Sequence, residues 1–203
     1  MTSSLADHQA FLDRYYGWSR PIYDLTRKHY LAGRDPVLDG LARETWTRLL
    51  EVGPGTGRNL RVLRARRPDA VLGGVEPALP MLEHARRVAP WATVVHGFAE
   101  TADLTAPVGR PDRILFSYSL SMIPDAEAAL SRARAALAPG GEVVVVDFGD
   151  VTDLAPALAR PLRRFLAAFH VTPLDTDWLR ARGARLRFGR ARYWVEARFG
   201  ATS

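Results

Sequence analysis

The stretch Leu49 to Gly57 reads Leu-Leu-Glu-Val-Gly-Pro-Gly-Thr-Gly and holds the residues best spaced for chemistry. An apolar run ends at Glu51, and glycines follow at alternate positions, Gly53, Gly55 and Gly57. Glycine lets the backbone turn sharply and lets a ligand approach with no side chain between. A carboxylate at the strand end repels a pyrophosphate and suits a cation. The glycine spacing also departs from the dinucleotide pattern, which sets its third glycine one residue later. A second acid, Glu76, closes Gly73-Gly74-Val75-Glu76-Pro77, near the distance at which a βαβ unit places the acid that accepts from ribose hydroxyls. A charge favoured at a helix N-terminus is the structural alternative for Glu76.

These groups need strands to end where they stand. Hydrophobic patterning predicts strands over Arg48–Val52, Ala70–Val75, Thr93–His96, Arg113–Ser117 and Glu142–Asp147. Between them it predicts helices over Arg58–Arg66, Leu79–Val88 and Asp125–Leu137. Alternating strands and helices imply a parallel sheet covered on both faces. Ahead of this core, 5–18 reads as helical, Pro21 suits a helix start, and Asp35 is placed to cap a short helix through Leu41. Beyond Asp147, Leu154–Phe169 reads as an amphipathic helix interrupted near Pro161, and another helix ends between Leu179 and Gly183. Arg185–Phe188 and Arg192–Arg198 alternate as a hairpin does.

The 203 residues fit one domain, with residues 1–45 as a helical lid, 46–150 as the core and 151–203 as basic C-terminal helices and a strand pair. No apolar run approaches a membrane span, and the first residues carry no evident secretory signal. Cysteine is absent, which excludes disulfides and thiol catalysis and fits a reducing cytoplasm. The histidines show no metal-ligand spacing, so no metal is expected. From Val151 onward ten arginines stand against four acids, which accounts for the formal charge of +6. That quarter suits an anionic membrane surface or nucleic acid, or else a solvated arginine-rich face.

Four blocks in order, the glycine turn, Glu76, His96-Gly97-Phe98-Ala99-Glu100 and Ser117–Pro124, resemble the class I S-adenosylmethionine methyltransferases. The resemblance implies an α/β Rossmann-like fold, with a mostly parallel seven-stranded sheet in the order 3-2-1-4-5-7-6. It implies S-adenosyl-L-methionine as cofactor. The binding set it implies is Tyr23, Arg34, Glu51, Gly53, Pro54, Gly55, Gly57, Asn59, Glu76, Pro77, Met81, Phe98, Ala99 and Ser117. Such enzymes usually carry Asp where Phe98 stands. Phe98 either stacks on the adenine, with the Ala99 N–H donating to the ring, or packs in the core. Ser117-Tyr118-Ser119-Leu120 replaces the Asn/Asp-Pro-Pro-aromatic clamp of nucleobase methyltransferases, so nucleic acid is not an expected partner.

Two further stretches, Ile22–Asp35 and Phe169–Pro173, together with Gly57–Leu60 and Val146–Gly149, resemble the diacylglycerylhomoserine N-methyltransferases of bacterial betaine-lipid synthesis. This implies methylation of a lipid-borne amine, a functional partnership with an aminocarboxypropyl-transferring enzyme, and peripheral contact with the inner membrane surface through Leu158–Phe169. The substrate set is Tyr16, Arg27, Lys28, Tyr30, Ser119 and Met122. Arg27 or Arg34 suits a two-point fork on a carboxylate, the acceptor's or the cofactor's own. Tyrosine faces suit a trimethylammonium. A proton must leave the amine before it can attack, and Tyr118, Asp147 and His170 are the candidates to receive it. The family tends to carry Cys, Asp and Arg where Pro54, Phe98 and Leu174 stand here. These departures keep open a soluble amino acid or natural-product amine as acceptor, other alkyl transfer or cyclisation from the sulfonium, and a non-catalytic SAM-fold subunit.

Overall fold

The computed structural model describes residues 31–155, 157, 160–161 and 173–201. The helices expected over 5–18 and from Pro21, and most of the amphipathic helix expected to Phe169, lie outside the described residues. So do Tyr16, Tyr23, Arg27, Lys28, Tyr30 and His170.

The elements run α1 (Arg34–Arg43), β1 (Arg48–Val52), α2 (Arg58–Arg66), β2 (Val71–Glu76), α3 (Leu79–Val88), β3 (Thr93–His96), β4 (Arg113–Ser117), α4 (Ala126–Ala136), β5 (Glu142–Phe148), α5 (Thr176–Ala181), β6 (Arg185–Phe188) and β7 (Trp194–Gly200). The strands form one sheet in the order β3-β2-β1-β4-β5-β7-β6. Pairs among β1 to β5 are parallel, while β7 runs antiparallel to β5 and β6. The expected order and the antiparallel ending are both present.

Side chains alternate across a strand, so a sheet covered on both sides sorts one apolar run into two cores. Leu49, Leu115, Val144 and Val146 join Leu38 and Leu41 of α1, Leu60 and Leu63 of α2 and Leu82 of α3. Leu50, Ile114, Phe116, Val143 and Val145 join Leu130 of α4 and Leu179 of α5 on the other face. Each such fully buried side chain contributes about 1.5–3 kcal/mol.

Several boundaries shift by one or two residues from the sequence reading, β2 to Val71–Glu76 and the end of β5 to Phe148 among them, and three of the differences have a clear local reason. Gly33, not Asp35, occupies the N-cap of α1. Asp35 sits in the first turn and forms a two-point ion pair with Arg58, at 2.8 and 3.2 Å. Asp125 lies just outside α4 as its cap, accepting from the Ala128 N–H at 2.9 Å. The last strand begins at Trp194, because Arg192 is drawn out of it. Its guanidinium pairs with Asp150 and lies over the Phe188 ring, and both Ala191 and Arg192 take positive φ.

The basic quarter is largely neutralised where it is described. Arg180, Arg182, Arg185, Arg187, Arg192 and Arg198 each pair with a carboxylate. Arg198 alone reaches Glu44, Glu142 and Glu196. No helix among the described residues is long and apolar enough to cross a membrane.

Candidate functional site

β1 has β2 on one side and β4 on the other, with chain order reversing between them. The carboxyl ends of strands diverge at such a point and leave a crevice. A cleft of about 970 Å³, part of it open to solvent, lies there.

Its first wall is the turn after β1. Gly53, Gly55 and Gly57 have φ of 72°, 55° and 74°, the left-handed region that glycine enters without penalty. The Gly53 N–H donates to the Val75 carbonyl at 2.9 Å, which ties the turn to β2. A side chain on Gly53 would place its Cβ 3.0 Å from Ser119 Cβ; one on Gly55 would meet nothing within 4 Å. Gly57 is not part of the lining, and a side chain there would meet Ala85 and Val88 of α3.

Two carboxylates line the cleft, both almost wholly enclosed. Glu76 accepts from the Gly55 N–H at 2.8 Å and, through its other oxygen, from the Ala78 N–H at 3.0 Å. Glu51 accepts from the Asn59 side-chain amide at 2.6 Å through one oxygen. Among the described residues, its other oxygen, Oε2, and Asn59 Oδ1 are buried without partners. Burial pushes the Glu51 carboxyl up to about 8, against the pull of Asn59, Arg34 and Arg58, and the Glu76 charge adds to the rise. Burial likewise raises Glu76 to about 7, although two backbone donors favour its charged form.

The opposite wall is the segment after β4. Ser119 Oγ donates to the Val52 carbonyl at 2.7 Å, and Ser121 Oγ donates to Asp147 Oδ1 at 2.9 Å. Tyr118 is buried with φ of 55°, in edge contact with Phe148, and its hydroxyl accepts from the Gly33 N–H at 3.0 Å. Ser117 Oγ is buried with no partner among the described residues. Phe98 packs with Ala78, Met81 and Met122 in a small apolar cluster at the cleft edge.

Arg34, Glu51, Gly53, Pro54, Gly55, Asn59, Glu76, Pro77, Met81, Phe98, Ala99, Ser117, Tyr118, Ser119 and Met122 all line this cleft. Two candidates for receiving a proton do not fit that role. Burial raises the Tyr118 phenol far above its ordinary range, so it stays neutral. Asp147 is fully enclosed and is not part of the lining; it also accepts from the Ser121 and Phe148 N–H groups, so it positions the loop. The sequence reading missed Leu31, Val52, Thr56, Arg58, Val75, Glu100, Ile123 and Pro124 as lining. Thr56 and Arg58 flank the last glycine of the turn, and that position is the signal that could have found them.

A family model described as a methyltransferase domain matches residues 23–200. A demethylmenaquinone methyltransferase from Thermus thermophilus is 32% identical over 63% of this chain and 61% of its own length. The chain thus spans about three fifths of that curated relative. The SAM-bound structure of CalS10, an amino pentose methyltransferase from Micromonospora echinaspora, is 28% identical with a TM-score of 0.52, over 61% of this chain and 55% of that one. A putative methyltransferase from Haloferax volcanii, complexed with the Trm112 activator, shares the fold at a TM-score of 0.67 and 14% identity, over 95% of this chain and 98% of that one.

Proposed function

The chain belongs to the methyltransferase domain family, with S-adenosylmethionine as cofactor, and from that premise we propose that it N-methylates the amine of diacylglycerylhomoserine to give a betaine lipid. The observation that carries the donor half is the enclosed, acid-lined cleft. Two buried carboxylates and the unpartnered Glu51 Oε2 and Asn59 Oδ1 call for a cation rich in N–H donors, which fits the aminium and sulfonium of that cofactor. A side chain on Gly55 would project into open space, so glycine keeps that face clear.

When bound, the cofactor supplies an electrophilic methyl group. Glu76 has spare acceptor capacity for ribose hydroxyls beyond its two backbone bonds, and those bonds fix its head group in place. Glu51 and Asn59 receive the aminium. Pro54, Pro77, Met81, Phe98 and Ala99 bound the adenosine side, with Phe98 as the apolar face. Ser117, Ser119 and Met122 bound the acceptor side, where the Ser119 and Ser121 hydrogen bonds hold the wall rigid. Arg34 stands buried on the lining as the anchor for a carboxylate. The Tyr118 phenol stays neutral and Asp147 is spent on the Ser121 and Phe148 N–H groups, so we assign the amine's proton to water, the acceptor binding as the free amine. Alignment and exclusion of water then provide much of the acceleration.

The lipid assignment rests on the sequence resemblance over nearly the whole chain. With it go a peripheral contact with anionic membrane and a functional link to an aminocarboxypropyl-transferring enzyme. Mass spectrometry of lipids from cells making both proteins should show the trimethylated betaine lipid; accumulation of unmethylated diacylglycerylhomoserine would refute the assignment. Liposome flotation tests the membrane contact, with recovery on anionic vesicles at low salt expected. A second reading, a soluble natural-product amine as acceptor, is favoured by the identity with the amino pentose methyltransferase and by Phe98 and Leu174 standing where the lipid family tends to carry Asp and Arg. It would leave the lipid profile unchanged.

A further inference from the structure

Glu51 and Asn59 are joined by one hydrogen bond, from the Asn59 amide nitrogen to Glu51 Oε1 at 2.6 Å. The two atoms left over on these head groups, Glu51 Oε2 and Asn59 Oδ1, are both acceptors, both buried and both without a partner among the described residues. Two buried acceptors facing no donor are costly. A single proton on Oε2 answers both: the carboxylic acid becomes a donor, and the acid and amide can close a paired ring. Glu76, in the same cleft, differs, because each of its oxygens already accepts from a backbone N–H.

We propose that Glu51 and Asn59 form a proton-holding acid–amide pair in the empty protein, and that binding of the cationic ligand expels this proton to solvent. This rests on the cationic-donor reading above. The ligand's aminium then provides the N–H donors that the proton had provided, and no covalent bond changes. Burial favours the neutral form of Glu51 near neutral pH in the same direction. The other charged or titratable groups on the lining are Arg34 from α1, Arg58 at the start of α2, Glu76, Glu100 and Tyr118. Arg58 is engaged by Asp35, outside the lining, and the Glu76 charge adds to the preference for a neutral Glu51. The consequence is functional: uptake of donor, and of the demethylated product that carries the same aminium, tightens as pH rises and loosens as it falls.

The test is calorimetric titration of the full chain with S-adenosylhomocysteine at pH 7.5, in buffers of different ionisation enthalpy. Wild type should release close to one proton per ligand, and below this pH its affinity should fall roughly tenfold per pH unit. Glu51→Gln, whose amide mimics the protonated acid, should bind more weakly, release no proton from this pair and lose most of the pH dependence. Glu76→Gln should keep the release. A protonated-carboxyl infrared band that disappears when wild type takes up ligand is the second measurement, independent of any variant's folding. Binding without proton release, release undiminished in Glu51→Gln, or no such band overturns the proposal and leaves the donor site standing. A folded protein that takes up no ligand overturns both.

Discussion

The two walls of the cleft are built in opposite ways. The wall from β1 and β2 is short-range: Glu51 and Asn59 are eight residues apart, and Glu76 reaches the turn twenty-one residues before it. Its polar groups are backbone amides and two enclosed carboxylates. The wall after β4 is long-range: Tyr118 is held by Gly33 and Ser121 by Asp147, across eighty-five and twenty-six residues. Its hydroxyls are mostly spent on the protein itself. One wall keeps binding capacity in reserve, and the other spends it on shape. Variants on the first wall should therefore show mainly in ligand affinity, and variants on the second mainly in stability.

Asp147→Ala gives the sharpest contrast. It strips acceptors from the Ser121 hydroxyl, the Ser121 N–H and the Phe148 N–H, and should cost about 3–5 kcal/mol of stability in denaturant unfolding. S-adenosylhomocysteine should still bind the protein that remains folded. Glu76→Ala should reverse that pattern, weakening S-adenosylhomocysteine by about 2–4 kcal/mol in calorimetry while lowering the melting temperature much less. Equal effects of both variants on both readouts would erase the distinction between the walls.

Acidity sharpens it further. Glu51 and Glu76 have folded values raised to about 8 and about 7. Their contribution to stability is complete below the ordinary carboxylate range near 4.5 and is lost as pH rises through 7 and 8. Asp150 works in the opposite sense: hydrogen bonds from Arg192 hold its carboxyl below the usual range, and its contribution is lost in acid. The empty protein should be most stable near pH 4.5, then lose on the order of several kcal/mol between about pH 4.5 and 8 and level off above that, with saturating ligand restoring most of the loss. Thermal unfolding across pH with and without S-adenosylhomocysteine checks this; a flat profile in the empty protein would contradict it. At the small end, Tyr118→Phe removes one acceptor from the Gly33 N–H and should cost about 1 kcal/mol.

The same contrast explains what could be read before the structure. Arg48–Val52, Thr93–His96 and Arg58–Arg66 were readable to the residue because local alternation and helical spacing set them. The donor wall was readable because glycine spacing and a strand-end acid are local facts. The enclosure of Asp147 and its bonds to Ser121 and Phe148 were not legible, because a lone acid after a strand gives no sign of how deeply it is buried. The neutrality of Tyr118 was hidden for the same reason, since it comes from burial, against the pull of the distant Gly33 N–H. Arg192 was read as strand because its alternation is local and its pull toward Asp150 is not. The closeness of Gly57 to Ala85 was not legible either, because Ala85 lies on a helix that the motif does not contain.

The central claim is that the cleft between β1, β2 and β4 takes up the methyl donor. Equilibrium titration of the purified full chain with S-adenosylhomocysteine, beside Glu76→Ala, tests it most directly. The account predicts one saturable site per chain in wild type and an affinity loss of at least tenfold in the variant. A folded wild-type protein that binds neither S-adenosylhomocysteine nor S-adenosylmethionine, or a variant that binds as well as wild type, would contradict it.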